Sequence, residues 1–318
     1  MKNLIIGVLA VVVIALIAYT VIHNQADAPM QTAEDSTERT VERISVEPDG
    51  GIGDGAEPLE EALEEAGRPA VEVIGQSSDG RDITAHTFGD GKNEILFIGG
   101  IHGGYAPNTS LVAYDLIDYL EESTDANADF LETVVVTVIP TLNPDGLAKV
   151  TGKSGRFSSN DVNTNPTVQV AGRFNNNEVD LNRNFDCGWQ SQGTWQNRTV
   201  SGGSTPFSEA ESAALRNYVS KYAPDAVVAY YAAAGGVFAS TCSPTVSEET
   251  KDITNVYANA AGYQASEEFD FYEVTGDMVN WFARQGTPAI SVLLTDRSNP
   301  EWSKNKAGID ALIEYYAK

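Results

Sequence analysis

The sequence predicts an α/β protein: a mixed central sheet with helices on both faces, preceded by one N-terminal transmembrane helix. Three observations predict it. Strand-type and helix-type segments alternate along most of the chain, the order that yields a helix-covered sheet. Two of the strands, Ile95-Leu96-Phe97-Ile98 and Thr133 to Ile139, are too apolar to leave a wet face, as strands in the middle of such a sheet must be. The chain also opens on an apolar run, Leu4 to Ile22, of about the length that crosses a bilayer as a helix.

Residues 4–22 are read as the anchor. Lys2 precedes the run and the first charges after it are acidic, which places the folded part outside the cytoplasm. The competing reading is a signal peptide cleaved at Ala26-Asp27-Ala28; Pro29 directly after that site and the length of the run favour a retained anchor. Residues 23–66 read as an acidic flexible stalk. From Asn24 to Ala66 thirteen acidic residues face only Arg39 and Arg43, with a glycine-rich patch at Pro48–Gly55, so the segment repels itself and has little apolar surface to bury. Pro58–Ala66 has helix-forming residues behind a proline suited to a first turn.

Residues 67–318 form the predicted domain. Ala70–Ile74 and Asp82–Thr87 alternate in polarity around Ser77-Ser78-Asp79-Gly80 and read as a hairpin. The Ile95–Ile98 strand follows, then a helix capped by Asn108 and running through Tyr119, with Leu111, Val112, Leu116, Ile117 and Leu120 on one face. After the Thr133–Ile139 strand, Ser208 opens a helix to Tyr222 with capping-box spacing to Glu211, leading into the strand Ala226–Tyr230. Helices are expected around Glu249–Ala261, Thr275–Gln285 and Trp302–Tyr316, with a strand Ala289–Leu294 between the last two. Ligands of such sheets sit at the carboxyl ends of the strands. A net charge of −25 excludes nucleic acid as a partner, because phosphate binding needs clustered Lys and Arg.

Three motifs mark the domain: Gly99-Gly100-Ile101-His102-Gly103-Gly104, Asn143-Pro144-Asp145-Gly146 and Val179-Asp180-Leu181-Asn182-Arg183-Asn184-Phe185. In this order and rough spacing, from about Ala70 to Tyr316, the chain resembles the zinc carboxypeptidase family. That family holds zinc with a His and a Glu on one loop and a second His further on, and uses a Glu near the domain's end as general base. The resemblance makes His102 the one residual metal ligand. Tyr105 stands at the Glu position, with Ala106 beside it, Tyr231 at the second His, and Leu293 at the base. A neutral phenol is a poor zinc ligand and leucine takes no proton from water. Only three histidines exist in the chain; His23 adjoins the apolar run and His86 sits in a strand. No cofactor is therefore expected.

The resemblance further implies a substrate pocket. Asn182 and Arg183 match the pair that grips a peptide's terminal carboxylate, a task suited to a guanidinium fork; a structural salt bridge is the alternative for Arg183. Tyr272 matches a tyrosine that closes over substrate, with a core role as its alternative. Arg156 is matched to the arginine of the oxyanion site, or is a surface residue, and Val279 to the floor of the side-chain pocket, or to core packing. Cys187 and Cys242 fall in loops near this site and, outside the cytoplasm, are expected to form a disulfide. The preferred reading is a membrane-anchored, extracytoplasmic, inactive carboxypeptidase relative that binds peptide C-termini or envelope peptide stems. The alternative is an active metallocarboxypeptidase whose zinc recruits Asp180, Asp277 or Asp296 beside His102. A third is a scaffold whose surface or stalk binds another envelope protein.

Overall fold

A computed structural model describes residues 68–126, 128–269 and 271–318; the predicted anchor and stalk lie outside the described residues. No described helix is long and apolar enough to cross a membrane. Ten strands are described: β1 Val71–Gln76, β2 Asp82–Phe88, β3 Asn93–Ile98, β4 Val134–Ile139, β5 Gln192–Trp195, β6 Arg198–Ser201, β7 Ala226–Ala232, β8 Gly236–Ala239, β9 Gln264–Ser266 and β10 Ala289–Leu294. The α-helices are α1 Asn108–Asp125, α2 Pro144–Thr151, α3 Pro166–Ala171, α4 Ala210–Tyr222, α5 Glu248–Ala261, α6 Met278–Gln285 and α7 Trp302–Tyr316.

Eight strands form one mixed sheet in the order β1-β2-β4-β3-β7-β10-β8-β9, and β5 and β6 form a separate hairpin. The centre of the sheet, β4, β3, β7 and β10, is parallel, so these strands end on the same side. Each is apolar on both faces because both are covered. Alternate residues of β7, Ala226, Val228 and Tyr230, enter one core with α1, α5 and α7, while Val227, Ala229 and Tyr231 enter the other with α4 and α6. The expected α/β architecture is what forms.

Two expected helix caps are absent, for the same physical reason. Asn108 is the first residue of α1, and its amide donates to the carbonyls of Asp296 and Asn299. α4 begins at Ala210 with no side-chain cap; the Ser208 hydroxyl meets Asn184 and Glu209 instead, and Glu211 is buried against Asn175. In both cases a tertiary partner takes the side chain that a local cap would have used. Asn143-Pro144-Asp145-Gly146 is the start of α2, with the Asn143 side-chain oxygen accepting from the Gly146 N–H and Pro144 in the first turn, where its missing N–H costs nothing.

The motif glycines hold motif loops against one another. A Cβ on Gly103, whose φ of 44° already favours glycine, would sit 2.8 Å from the Gly146 Cα and 2.7 Å from the Gly172 carbonyl. Cys187 and Cys242 form a disulfide with Cα atoms 5.9 Å apart, tying the loop after the Asn182 turn to the loop after β8.

Candidate functional site

The parallel strand ends place three predicted positions together. His102 follows β3 by four residues, through a loop in which Leu142 N–H and Asn143 N–H bond the carbonyls of Gly99 and Gly100. Tyr231 lies near the end of β7, and the register pairs it with Leu293 on β10, so both side chains share one face. A pocket of about 600 Å³ opens there, lined by His102, Tyr105, Tyr231 and Leu293 together with Asn182 and Tyr272. The β5–β6 hairpin supplies Trp195, and Phe269 and Phe271 add an aromatic wall.

The groups around His102 do not compose a zinc site. Both ring nitrogens are buried without a hydrogen-bond partner. The nearest carboxylate oxygen in ion-pair range, Asp180 Oδ1, is 4.0 Å from Nε2. Asp180 itself is engaged by Arg173, whose Nε donates to Oδ2 at 2.9 Å and whose Nη2 lies 2.8 Å from the same atom. Burial, followed by the charges of Arg173, Arg183 and Arg297, holds the His102 proton affinity well below the ordinary imidazole range. Burial first, and then Asp277, pushes the Tyr231 phenol well above its ordinary range, so it stays neutral at physiological pH.

The three carboxylates offered for a rebuilt site do not converge either. Asp277 accepts from the Asn182 amide at 2.7 Å and caps α6 through Asn280 N–H. Asp296 closes its own turn, accepting from Ser298 and Asn299. Among the described residues no group of three or more His, Cys, Asp or Glu side chains could hold a metal ion. Zinc needs three or four such donors at about 2.0–2.3 Å.

The predicted binding residues separate. Asn182 lines the pocket, but its amide already donates to Asp277 and its oxygen accepts from Met278 N–H at 3.1 Å. Arg183 is 1% exposed and does not line the pocket. It donates to the carbonyls of Asn182 at 2.8 Å and Thr194 at 3.2 Å, and its guanidinium carbon lies 5.8 Å from the Tyr272 ring. Arg156 is elsewhere: exposed, paired with Asp118 and over the Tyr114 ring, both on α1, and not among the pocket's lining residues. Val279 is packed in the core of α6 rather than on the pocket wall.

Two arginines that sequence reasoning missed do line the pocket, Arg173 and Arg297. Arg297 was within reach, four residues beyond Leu293 and directly after Asp296. Arg173 had no signal, since its pairing with Asp180 is visible only in three dimensions.

Fold and pocket together define a carboxypeptidase-type α/β domain with its cleft at the ends of the parallel strands. The chain belongs to the zinc carboxypeptidase family, whose model matches residues 61–308. It is 30% identical over 159 residues to carboxypeptidase B of Astacus astacus, a stretch covering 48% of this chain and 50% of that protein. It is 27% identical over 161 residues to an inactive metallocarboxypeptidase of Saccharomyces cerevisiae, covering 48% of this chain and 36% of that one. These matches thus span half or less of the relatives' length. Among solved structures, bovine thrombin-activatable fibrinolysis inhibitor superposes with a TM-score of 0.59 at 18% identity, covering 81% of this chain and 92% of that one. Murein-tripeptide amidase of Escherichia coli O157 superposes with a TM-score of 0.52 at 18% identity, covering 81% and 95%. At such identities the superpositions speak for the fold alone.

Proposed function

We propose that this chain is a membrane-anchored, extracytoplasmic relative of the carboxypeptidases that binds the C-terminal end of a peptide, or the peptide stem of an envelope polymer, without cleaving it. The observation that carries the reading is the sign of the pocket. In a chain of net charge −25, two guanidiniums line it, and among the described residues no carboxylate does. A cleft of that sign attracts anions and holds them best where water is excluded. Beside the cations stand Phe269, Phe271 and Tyr272, the last two 61% and 46% exposed, a surface for an apolar terminal side chain.

Inactivity follows from what is absent at the reacting positions. Leu293 cannot act as a base, and the His102 environment offers one imidazole, a neutral phenol and arginines where a divalent cation would have to sit. The apolar run 4–22 and the acid-rich segment behind it support the anchor and the outward orientation. The Cys187–Cys242 bridge supports an oxidising compartment.

The test is calorimetry on the purified full chain with a tripeptide ending in phenylalanine, as free acid and as C-terminal amide. The acid is expected to bind at least about tenfold more tightly, the worth of one charge-assisted contact. Equal affinity for both, or stoichiometric zinc in the protein with chelator-sensitive release of the terminal residue, overturns the reading.

A further inference from the structure

Two triplets in the chain have the form Asn-X-Ser/Thr with X other than Pro, Asn108-Thr109-Ser110 and Asn197-Arg198-Thr199, the pattern that receives an N-linked saccharide on a surface loop. The fold treats them in opposite ways. Asn108 is fully buried in the first turn of α1, and its carboxamide nitrogen donates to the carbonyls of Asp296 at 2.8 Å and Asn299 at 3.0 Å. A sugar on that nitrogen would take away one of the N–H groups these bonds use, at a position with no access to solvent, so the folded protein excludes it.

Asn197 stands at the other extreme. Trp195 pairs with Arg198 across a two-residue turn in which Gln196 and Asn197 both have positive φ, 47° and 60°. Both turn residues are exposed, as are Arg198 and Thr199 behind them. The tip is held from beneath, because the Trp195 ring is buried against Tyr105 and Phe174 and the Gln196 amide donates to the Tyr105 hydroxyl at 2.9 Å. A transferring enzyme therefore meets the acceptor nitrogen, and the hydroxyl two residues on, at one exposed turn on a fixed base.

We infer that Asn197 is a glycosylation site, set on the rim of the pocket that Asn197 itself lines. The step draws on an activated saccharide of the lipid-pyrophosphate class. The Asn197 carboxamide nitrogen forms a bond to the anomeric carbon, the bond from that carbon to the pyrophosphate oxygen breaks, the lipid pyrophosphate leaves with the electron pair, and the nitrogen gives up one proton to the transferring enzyme. The inference rests on the outward orientation proposed above, the side of the membrane to which the Cys187–Cys242 bridge also belongs. A saccharide here adds hydrated bulk at the edge of the pocket while the buried His102, Tyr231 and Leu293 stay untouched.

The experiment is mass-spectrometric peptide mapping of the full chain purified from its own cells, as wild type, Thr199→Ser and Thr199→Ala. Wild type is expected to show the peptide holding Asn197 shifted up by the mass of a saccharide, Thr199→Ser to keep the shift and Thr199→Ala to lose it, with the peptide holding Asn108 unshifted in all three. Thr199 is exposed on the short strand β6, so neither change disturbs the fold, as circular dichroism verifies. In parallel, protease is added to cells stripped of their outer layers. A chain cut by that protease with Asn197 unshifted overturns the assignment and leaves the proposed function standing. A chain protected from it overturns the outward orientation, and the assignment with it. A shift that survives Thr199→Ala shows that the triplet is not what is read, and also overturns the assignment.

Discussion

Two buried polar regions built from adjacent motif residues behave in opposite ways. Around Asn184 the hydrogen bonding is complete: its amide nitrogen donates to the Gly202 and Thr205 carbonyls and to Ser208, and its oxygen accepts from Glu209 N–H and Ser212. Asp145 is likewise saturated by Ser77, Ser78 and Arg81. Around His102, two ring nitrogens and the Nη2 of Arg173 lack hydrogen-bond partners. Residues of the first region hold the fold whatever the pocket does, so their motifs stay readable. Residues of the second make fewer bonds to the rest of the chain, and the fold depends on them less. A family signature held by the first region can therefore persist while the metal-ligand positions of the second are exchanged.

The largest effect that tests this contrast is Asn184→Ala. Asn184 is wholly buried, and its removal leaves the Glu209 N–H without its acceptor, at a cost of about 1–3 kcal/mol, while the Gly202 and Thr205 carbonyls keep Trp189 Nε1–H and Ser208 N–H. With the cavity left behind, a loss of about 2 kcal/mol or more in urea unfolding is expected. His102→Leu removes a side chain that makes no hydrogen bond, so its cost at neutral pH is expected below about 1 kcal/mol. Comparable losses for the two variants would erase the distinction drawn here.

The second effect is on pH dependence. His102 has a folded-state proton affinity below its unfolded one, so the unfolded chain takes up the proton first as pH falls. Its contribution to stability is present above the unfolded value of about 6.5 and is lost progressively as pH falls below it. Wild type is expected to lose this increment on acidification, and His102→Leu to be spared it. Thermal melts of both proteins in the same buffers between neutral pH and pH 5 measure the difference, and parallel curves would show that His102 is not held neutral.

Much of the fold was legible for reasons the structure makes plain. The strand read as Ala289–Leu294 and the helix read as Trp302–Tyr316 form with those bounds, because the strand is buried on both faces and the helix carries a regular apolar stripe. The β5–β6 hairpin was not legible: its strands are four residues each, largely exposed, and joined by Gln196 and Asn197 at φ of 47° and 60°, without the glycine that signals such a turn. That hairpin brings Trp195 to the pocket, so this part of its lining was invisible in the sequence. The positions of His102, Tyr231 and Leu293 were legible because each follows or ends an apolar strand. The cations that decide the sign of the pocket were not, since Arg173 sits in a loop whose course is set by Asp180 and Asn143 rather than by any periodic pattern.

The smallest expected effect probes whether Tyr231 contributes anything beyond its ring. Its hydroxyl donates to Asn182 Oδ1 at 3.4 Å, a long contact, and that oxygen keeps a second, better donor in Met278 N–H. The ring itself is buried and lies 5.6 Å from the His102 ring. Tyr231→Phe keeps the packing and leaves no acceptor without a partner, so a stability change under about 1 kcal/mol is expected, along with an unchanged acid-to-amide ratio. If the ratio collapses instead, the phenol at the end of β7 is meeting the ligand directly.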